Sequence, residues 1–296
     1  MPSRIVRFIL FLLLAALPGA LMAEQNSPPV RVLFVTQSKG FVHGSVRRVE
    51  ELAPAEIAMT QLAQQSKEFR IDCTQDCEAD FTPENLKNYD IVAFYTSGDL
   101  PISEEAMNYF FTEWLPEEGH GVLGFHSATD TFREEERYWD MIGGTFIHHP
   151  WTAGTQVTLT NHEPENPLVA PFGPEHTQQE EIYMYRHWQP EKVRVLMSLD
   201  YSKSPTKSAV NTQYGYHVPV CWIKNYGDGK VYVNNLGHRE DTWTRQEYLD
   251  SILSAIRWIK GDIEVDATPN PELSQAQEAK AKRDFEAGQF RKQKQK

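Results

Sequence analysis

Four short apolar runs in the first half of the chain, Val30 to Val35, Phe69 to Ile71, Ile91 to Tyr95 and Val122 to Phe125, alternate with stretches of helical spacing. Strands spaced by helices pair in parallel through right-handed crossovers, so the pattern predicts an α/β domain with a mainly parallel sheet. One intervening helix is expected from Pro54 to Gln65, where proline suits the first helical position. Another is expected from Ser103 to Leu115, with Ser103 as cap and Glu104 and Glu105 favouring the dipole. The second half is richer in turns. Runs at Gln156 to Leu159, Arg194 to Leu199, Val218 to Ile223 and Val231 to Asn234 read as further strands, and Asn225-Tyr-Gly-Asp-Gly229 as a hairpin turn. A last helix is predicted from Thr244, which forms a capping-box pattern with Glu247, and Leu249, Ile252, Leu253, Ile256 and Ile259 give it an apolar face for the sheet.

At 296 residues the chain is long enough to bury a full core. Its N-terminus stands apart. Arg4 and Arg7 precede the apolar run Phe8 to Leu17, followed by Pro18, Gly19 and Ala23, the charged, apolar and small-residue order of a signal peptide over residues 1–23. The other reading, an uncleaved membrane anchor, is disfavoured because the run is shorter than the roughly 20 residues that span a bilayer. The mature protein is therefore expected to be exported, periplasmic or secreted, with no stable membrane insertion after cleavage. A net charge of -12 with no clustered lysine and arginine in the body argues against a nucleic-acid partner. Cys73 and Cys77 are either a local disulfide or two free thiols, and Cys221 lies in an apolar run as a core residue. The folded domain is expected over residues 30–261, and residues 262–296 as a charged tail, a peripheral helix or disorder without a catalytic role.

In an open α/β sheet ligands bind at the carboxyl ends of the strands. Four such ends offer polar residues: Thr36 to Ser45 with Lys39 and His43, Thr96-Ser-Gly-Asp99, His126-Ser-Ala-Thr-Asp-Thr131, and Asn235-Leu-Gly-His238-Arg239. The third continues Gly121-Val-Leu-Gly-Phe125 into a tight turn that in α/β hydrolases and amidotransferases is spelled Gly-x-nucleophile-x-Gly. Here His126 takes the crest and Ser127 comes one place late, which removes a covalent mechanism and favours acid/base chemistry or metal binding. His43, His126 and His238 are far apart in sequence, yet the fold can bring them together as ligands of a divalent transition metal, with Asp99 or Glu181 completing the set. Hydrogen-bonding or acid/base histidines are the other reading. His148 and His149 are adjacent in a strand, so at most one faces a common site. Gln179-Glu-Glu-Ile-Tyr183 adds two carboxylates, read as solvated, and a phenol. Tyr183, Tyr185, Trp151, Trp188, Tyr214 and Tyr216 supply either core packing or a sugar-stacking surface.

Taken together, Lys39-Gly-Phe-Val-His-Gly-Ser45, Thr96-Ser-Gly-Asp99, Gly124-Phe-His-Ser-Ala-Thr-Asp-Thr131, Gly143-Gly-Thr-Phe-Ile-His-His-Pro150, Glu181-Ile-Tyr183, Arg194-Val-Leu196, Val218-Pro-Val-Cys-Trp222 and Leu236-Gly-His238 resemble the ThuA-like (trehalose-utilisation) family. The resemblance spans roughly residues 30–260. It implies a flavodoxin-like, class I glutamine amidotransferase-like three-layer sandwich without the amidotransferase triad. Where the family usually has an acidic residue before the Val-Pro-Val-Cys-Trp run, this chain has Tyr214-Gly-Tyr-His217. The resemblance further implies a small-molecule carbohydrate substrate, an oxidised (3-keto) glycoside cleaved by acid/base or metal-assisted chemistry. On that footing His126, His43, Asp130 and Asp99 are candidates for catalysis, and Lys39, Ser127, Thr131, Glu181, Tyr183 and His149 for substrate contacts. His43, His126 and His238 are the candidate metal ligands. The alternatives are a carbohydrate-binding or scaffolding module without chemistry, and a metal-dependent hydrolase of a small ester or amide.

Overall fold

The computed structural model describes residues 29–288, so the signal peptide expected over residues 1–23 lies outside the described residues. In chain order the elements are β1 (Val30–Val35), α1 (Pro54–Ser66), β2 (Phe69–Thr74), α2 (Cys77–Asp80), α3 (Pro83–Leu86), β3 (Ile91–Phe94) and α4 (Glu104–Tyr109). They continue with β4 (Gly121–Phe125), α5 (Glu136–Ile142), β5 (Thr145–Trp151), β6 (Gln156–Asn161), β7 (Glu175–Gln179) and β8 (Ile182–Arg186). The last are β9 (Arg194–Leu199), β10 (Pro219–Tyr226), β11 (Gly229–Asn234), α6 (Gln246–Lys260) and α7 (Pro271–Glu286).

Strands β2, β1, β3, β4 and β11 lie side by side and pair in parallel. This places β1 beside β3 at the point where strand order reverses, as in flavodoxin-like sheets. Beyond β11 the sheet continues through β10, β9, β6 and β7, all antiparallel. The side chains of the parallel strands alternate between two cores. Val32 and Phe34, Ile91 and Ala93, and Leu123 and Phe125 face α1 and α6, which contribute Met59, Leu62, Ile252, Ile256 and Ile259. Leu33 and Val35, Val92 and Phe94, and Val122 face the opposite layer, which contributes Leu86, Met107, Phe110, Met141 and Ile142. Both faces are covered, which is why these strands read as continuous apolar runs.

The departures from the sequence pattern have local causes. Ser103 accepts from the Ala106 N–H at 3.1 Å and caps α4, but after Tyr109 the helix widens into a π-turn over Phe110–Trp114 that a 3.6-residue period does not reveal. Helix α6 starts at Gln246 rather than Thr244, because the Thr244 hydroxyl donates to the Asp241 carbonyl at 2.8 Å inside a preceding 3₁₀ turn. Strands β5, β7 and β8 carry no clean alternation: β7 is the polar run Glu-His-Thr-Gln-Gln at the sheet edge, and β5 with its two histidines and a proline pairs with β8 in a separate ribbon. After Gly261 the chain forms α7. Asn270, just before it, bonds both the N–H and the C=O of Val195 in β9, and the Glu278 carboxylate accepts from the N–H groups of Tyr216 and His217. No helix among the described residues is long and apolar enough to cross a membrane.

Cys73, on β2, and Cys77, opening α2, are free thiols, as is Cys221. Burial raises all three to about 12, which keeps them as unreactive thiols at neutral pH. We expect the native protein to react slowly with a thiol reagent, and the unfolded chain to titrate all three cysteines without added reductant. Finding one reactive thiol instead of three would establish a disulfide and overturn this assignment.

Candidate metal centre

The carboxyl ends of β1, β3, β4 and β11 meet above the point where strand order reverses. There the loops after β1 and β3 are drawn together, with the N–H groups of Lys39 and Gly40 donating to the Ser97 carbonyl at 2.7 and 3.1 Å. Gly98 makes this approach possible. Its φ is 73°, and a Cβ there would stand 2.6 Å from the Gly40 nitrogen. Beside it β4 ends in a 3₁₀ turn, and His126 at its start adopts φ 42°, the left-handed region rarely used by residues with a Cβ. The expected elbow is thus formed around an imidazole.

Four side chains from four segments converge. The ligand atoms of His43, His126, Glu181 and His238 all lie within 4.8 Å of one another. Glu181 Oε1 is 3.1 Å from His238 Nδ1 and 3.6 Å from His126 Nε2, and the two imidazole nitrogens are 3.2 Å apart. Ligands around a tetrahedral zinc ion with bonds of about 2.0–2.1 Å stand about 3.3 Å from each other, so this triangle matches the edges of such a shell. The partner of each ring sets its free atom. His126 Nδ1 donates to the Asn235 carbonyl at 2.8 Å, which leaves Nε2 as the lone pair facing the cluster. His43 Nε2 meets the Tyr183 hydroxyl at 3.2 Å, and its Nδ1 is buried without a hydrogen-bond partner among the described residues. Neutral imidazoles and a carboxylate suit a divalent transition metal.

The charges agree with that donor set at His43 and Glu181. Burial, helped by the His126 and His238 rings, pushes the His43 imidazole down to about 2, so it is neutral. Burial works against ionising Glu181, but the neighbouring His126 and His238 rings prevail and hold its carboxyl below the usual range. For His238 burial opposes protonation, yet the Glu181 hydrogen bond and the charges of Glu181 and Glu180 raise it above its ordinary value. The cluster floors a pocket of about 390 Å³, also lined by Asp130, Arg133, Phe146, His149, Tyr183 and Phe41. Asp130 pairs with Arg133, and burial outweighs that pairing to raise its carboxyl. His149 places Nδ1 3.1 Å from Glu181 Oε2 and is 43% exposed, at the pocket wall.

Not every candidate residue reaches this place. Asp99 is exposed and off the pocket wall, since the chain turns at Gly98 and leaves it on the solvent side; Glu181 occupies the carboxylate position instead. Lys39 is anchored through its backbone and its side chain is exposed. Thr131 is spent on a 2.7 Å hydroxyl contact with Thr96, and Ser127 is fully buried below the crest. His126 itself is fully buried and does not line the pocket, so it serves the cluster rather than a substrate. Of the adjacent histidines only His149 lines the pocket; His148 bonds the Ala209 carbonyl. His217 sits away from the cluster against Ser198. Among the candidate aromatics Tyr183 alone lines the pocket, Trp151 and Tyr185 are core, and Tyr214 is exposed.

Glu180, which the sequence presents as solvated, is fully buried. One carboxylate oxygen accepts from the N–H groups of Glu181 and Arg239 at 2.9 and 3.3 Å, and the other from the Gly237 N–H at 3.0 Å and the Thr242 hydroxyl at 2.7 Å. It therefore ties the loop bearing His238 to the segment bearing Glu181. Asn235 adds a second tie, holding His126 through its carbonyl and the Tyr183 N–H through Oδ1 at 2.9 Å. Both residues sit next to or inside candidate motifs, but only the fold shows what they bind.

Comparison with solved structures finds the same architecture. A ThuA-like protein from Bacteroides uniformis is 19% identical with a TM-score of 0.61, covering 84% of this chain and 97% of that one. Another, from Parabacteroides merdae, is 14% identical with a TM-score of 0.58, covering 82% of this chain and 94% of that one. No curated protein matches the chain. The family model described as trehalose utilisation matches residues 31–259, and the chain belongs to that family, ThuA.

Proposed function

We propose that this protein is a metal-dependent enzyme that cleaves oxidised (3-keto) glycosides by elimination. The observation that carries the reading is the convergence of His43, His126, Glu181 and His238, three of which, His43, Glu181 and His238, line the pocket. A divalent cation held by these residues with one coordination position left open to the pocket would supply a Lewis acid that draws electron density from a substrate carbonyl. The ketone acidifies the neighbouring C2–H, so elimination needs a base at that proton and a donor at the leaving oxygen.

His149 is placed to be the base: it is half-exposed on the wall, with its Nδ1 3.1 Å from Glu181 Oε2. The proton passes from C2 to His149, the C–H electron pair forms the C1=C2 bond, and the C1–O bond breaks. Asp130, whose carboxyl burial raises, returns a proton to the departing oxygen, and the aglycone leaves as its alcohol. The buried Tyr183 hydroxyl, held neutral by burial and the nearby Glu181 charge, remains a donor within the pocket. On the leader-like residues 1–23, we place this reaction outside the cytoplasm.

The test is metal content and turnover of methyl 3-keto-β-glucoside by the purified protein, before and after chelation, with the protiated substrate compared with one deuterated at C2. Release of methanol that depends on the metal, slower for the C2-deuterated substrate and accompanied by the C1=C2 enone, is expected. Turnover that survives complete removal of the metal, or methanol released with the C2 deuterium retained in the sugar product, would remove the proposal.

A further inference from the structure

Phe41 is 64% exposed, an unusual state for a phenylalanine, and it is also part of the pocket wall. The ring is not loosely held. Its backbone carbonyl accepts from the Ser97 hydroxyl at 2.8 Å, Gly40 before it is bonded to Ser97, and the ring sits edge-on to His43 with centroids 4.8 Å apart. Val42 beside it is 38% exposed. Loop and ring thus form a fixed, apolar lip at the mouth of a pocket whose floor is the histidine and glutamate cluster. Phe146, also on the pocket lining, has the Arg133 guanidinium 5.2 Å from its ring centre, while Phe41 has no such cover among the described residues.

We infer that Phe41 forms a subsite for the aglycone, and that the preferred substrates are glycosides whose leaving group is an aromatic ring. This rests on the reading of the pocket as a glycoside site. With the sugar at the cluster, whatever extends outward from C1 meets the lip. The Phe41 ring offers that group a flat apolar surface and no hydrogen bonds, which suits an arene better than a second sugar with its hydroxyls.

Binding can be measured apart from turnover with unoxidised glucosides, which lack the acidifying ketone. Calorimetry on the full protein with phenyl β-glucoside, methyl β-glucoside and cellobiose should show the phenyl compound binding about five to ten times more tightly than the other two. Phe41→Ala should erase that advantage while changing methyl glucoside affinity less than about twofold, and Phe41→Trp should restore it. Equal affinities in the wild type, an equal loss for methyl and phenyl glucosides in Phe41→Ala, or cellobiose binding as tightly as the phenyl compound would each overturn the inference. If 3-keto glucosides prove not to be turned over while the Phe41-dependent preference persists, the reaction proposed above fails and the aromatic subsite stands.

Discussion

Replacing Glu181 with alanine is expected to lower affinity for a divalent metal by roughly a hundredfold or more and to remove turnover with it. Glu181 is the anion of the cluster: its Oε1 faces His126 and His238 and its Oε2 faces His149. Without it three imidazoles are left crowded together, with two ring nitrogens 3.2 Å apart and no negative charge between them. Because its histidine partners hold the Glu181 carboxyl below the usual range, the side chain also stabilises the metal-free fold at neutral pH, so the variant should melt somewhat lower and metal affinity is compared between folded proteins. Metal per chain by elemental analysis and turnover of 3-keto-β-glucoside are the two readouts, and a variant that keeps both at wild-type level would show that the cluster is not a metal centre.

The second large effect is expected one residue earlier. Glu180 receives five donors on its two oxygens, the Gln178 side-chain amide being the fifth, and every one of them needs an acceptor. Glutamine has the same shape but turns one oxygen into an NH₂ group, which then faces N–H or O–H donors. Glu180→Gln should therefore destabilise the protein by about 2–4 kcal/mol, because buried donors lose their partner without access to water. It should also weaken metal binding by about 10–100-fold, since the residue fixes the relative placement of His238 and Glu181. The pair of readouts matters: urea unfolding reports the lost hydrogen bonds, and metal titration of the folded variant reports the displaced ligands. Loss of stability with unchanged metal affinity would make Glu180 a structural residue only.

The parallel half of the sheet was legible because its strands are buried on both faces and appear as apolar runs. Knowing where those strands end is enough to name His43, His126 and His238 as residues able to meet, although 195 positions separate the first from the last. Glu181 was legible only as one of two carboxylates. Its burial depends on how the polar strand β7 turns into β8 beneath the ribbon with β5, and nothing in the spacing of that segment encodes the packing. Asp99 fails for the opposite reason: it stands in a loop that does reach the site, but side-chain direction after a glycine in the left-handed region is not a sequence pattern. The α6 start shows the same limit, since Thr244 has the residues of a cap and uses its hydroxyl in the preceding turn.

The left-handed backbone at His126 couples two demands that most proteins keep apart. Holding a residue with a Cβ at φ 42° stores strain of order 1–3 kcal/mol, so this crest, like Lys67, Phe132 and His187, is a place where a stability screen gains from glycine. The same exchange deletes the imidazole whose Nδ1 is fixed by Asn235 and whose Nε2 faces the cluster. Selection for robustness and selection for chemistry therefore pull on one position in opposite directions. A lineage that abandoned its reaction would be free to relax there first, which makes the residue at the crest an economical marker of whether a relative with this fold has kept a working site.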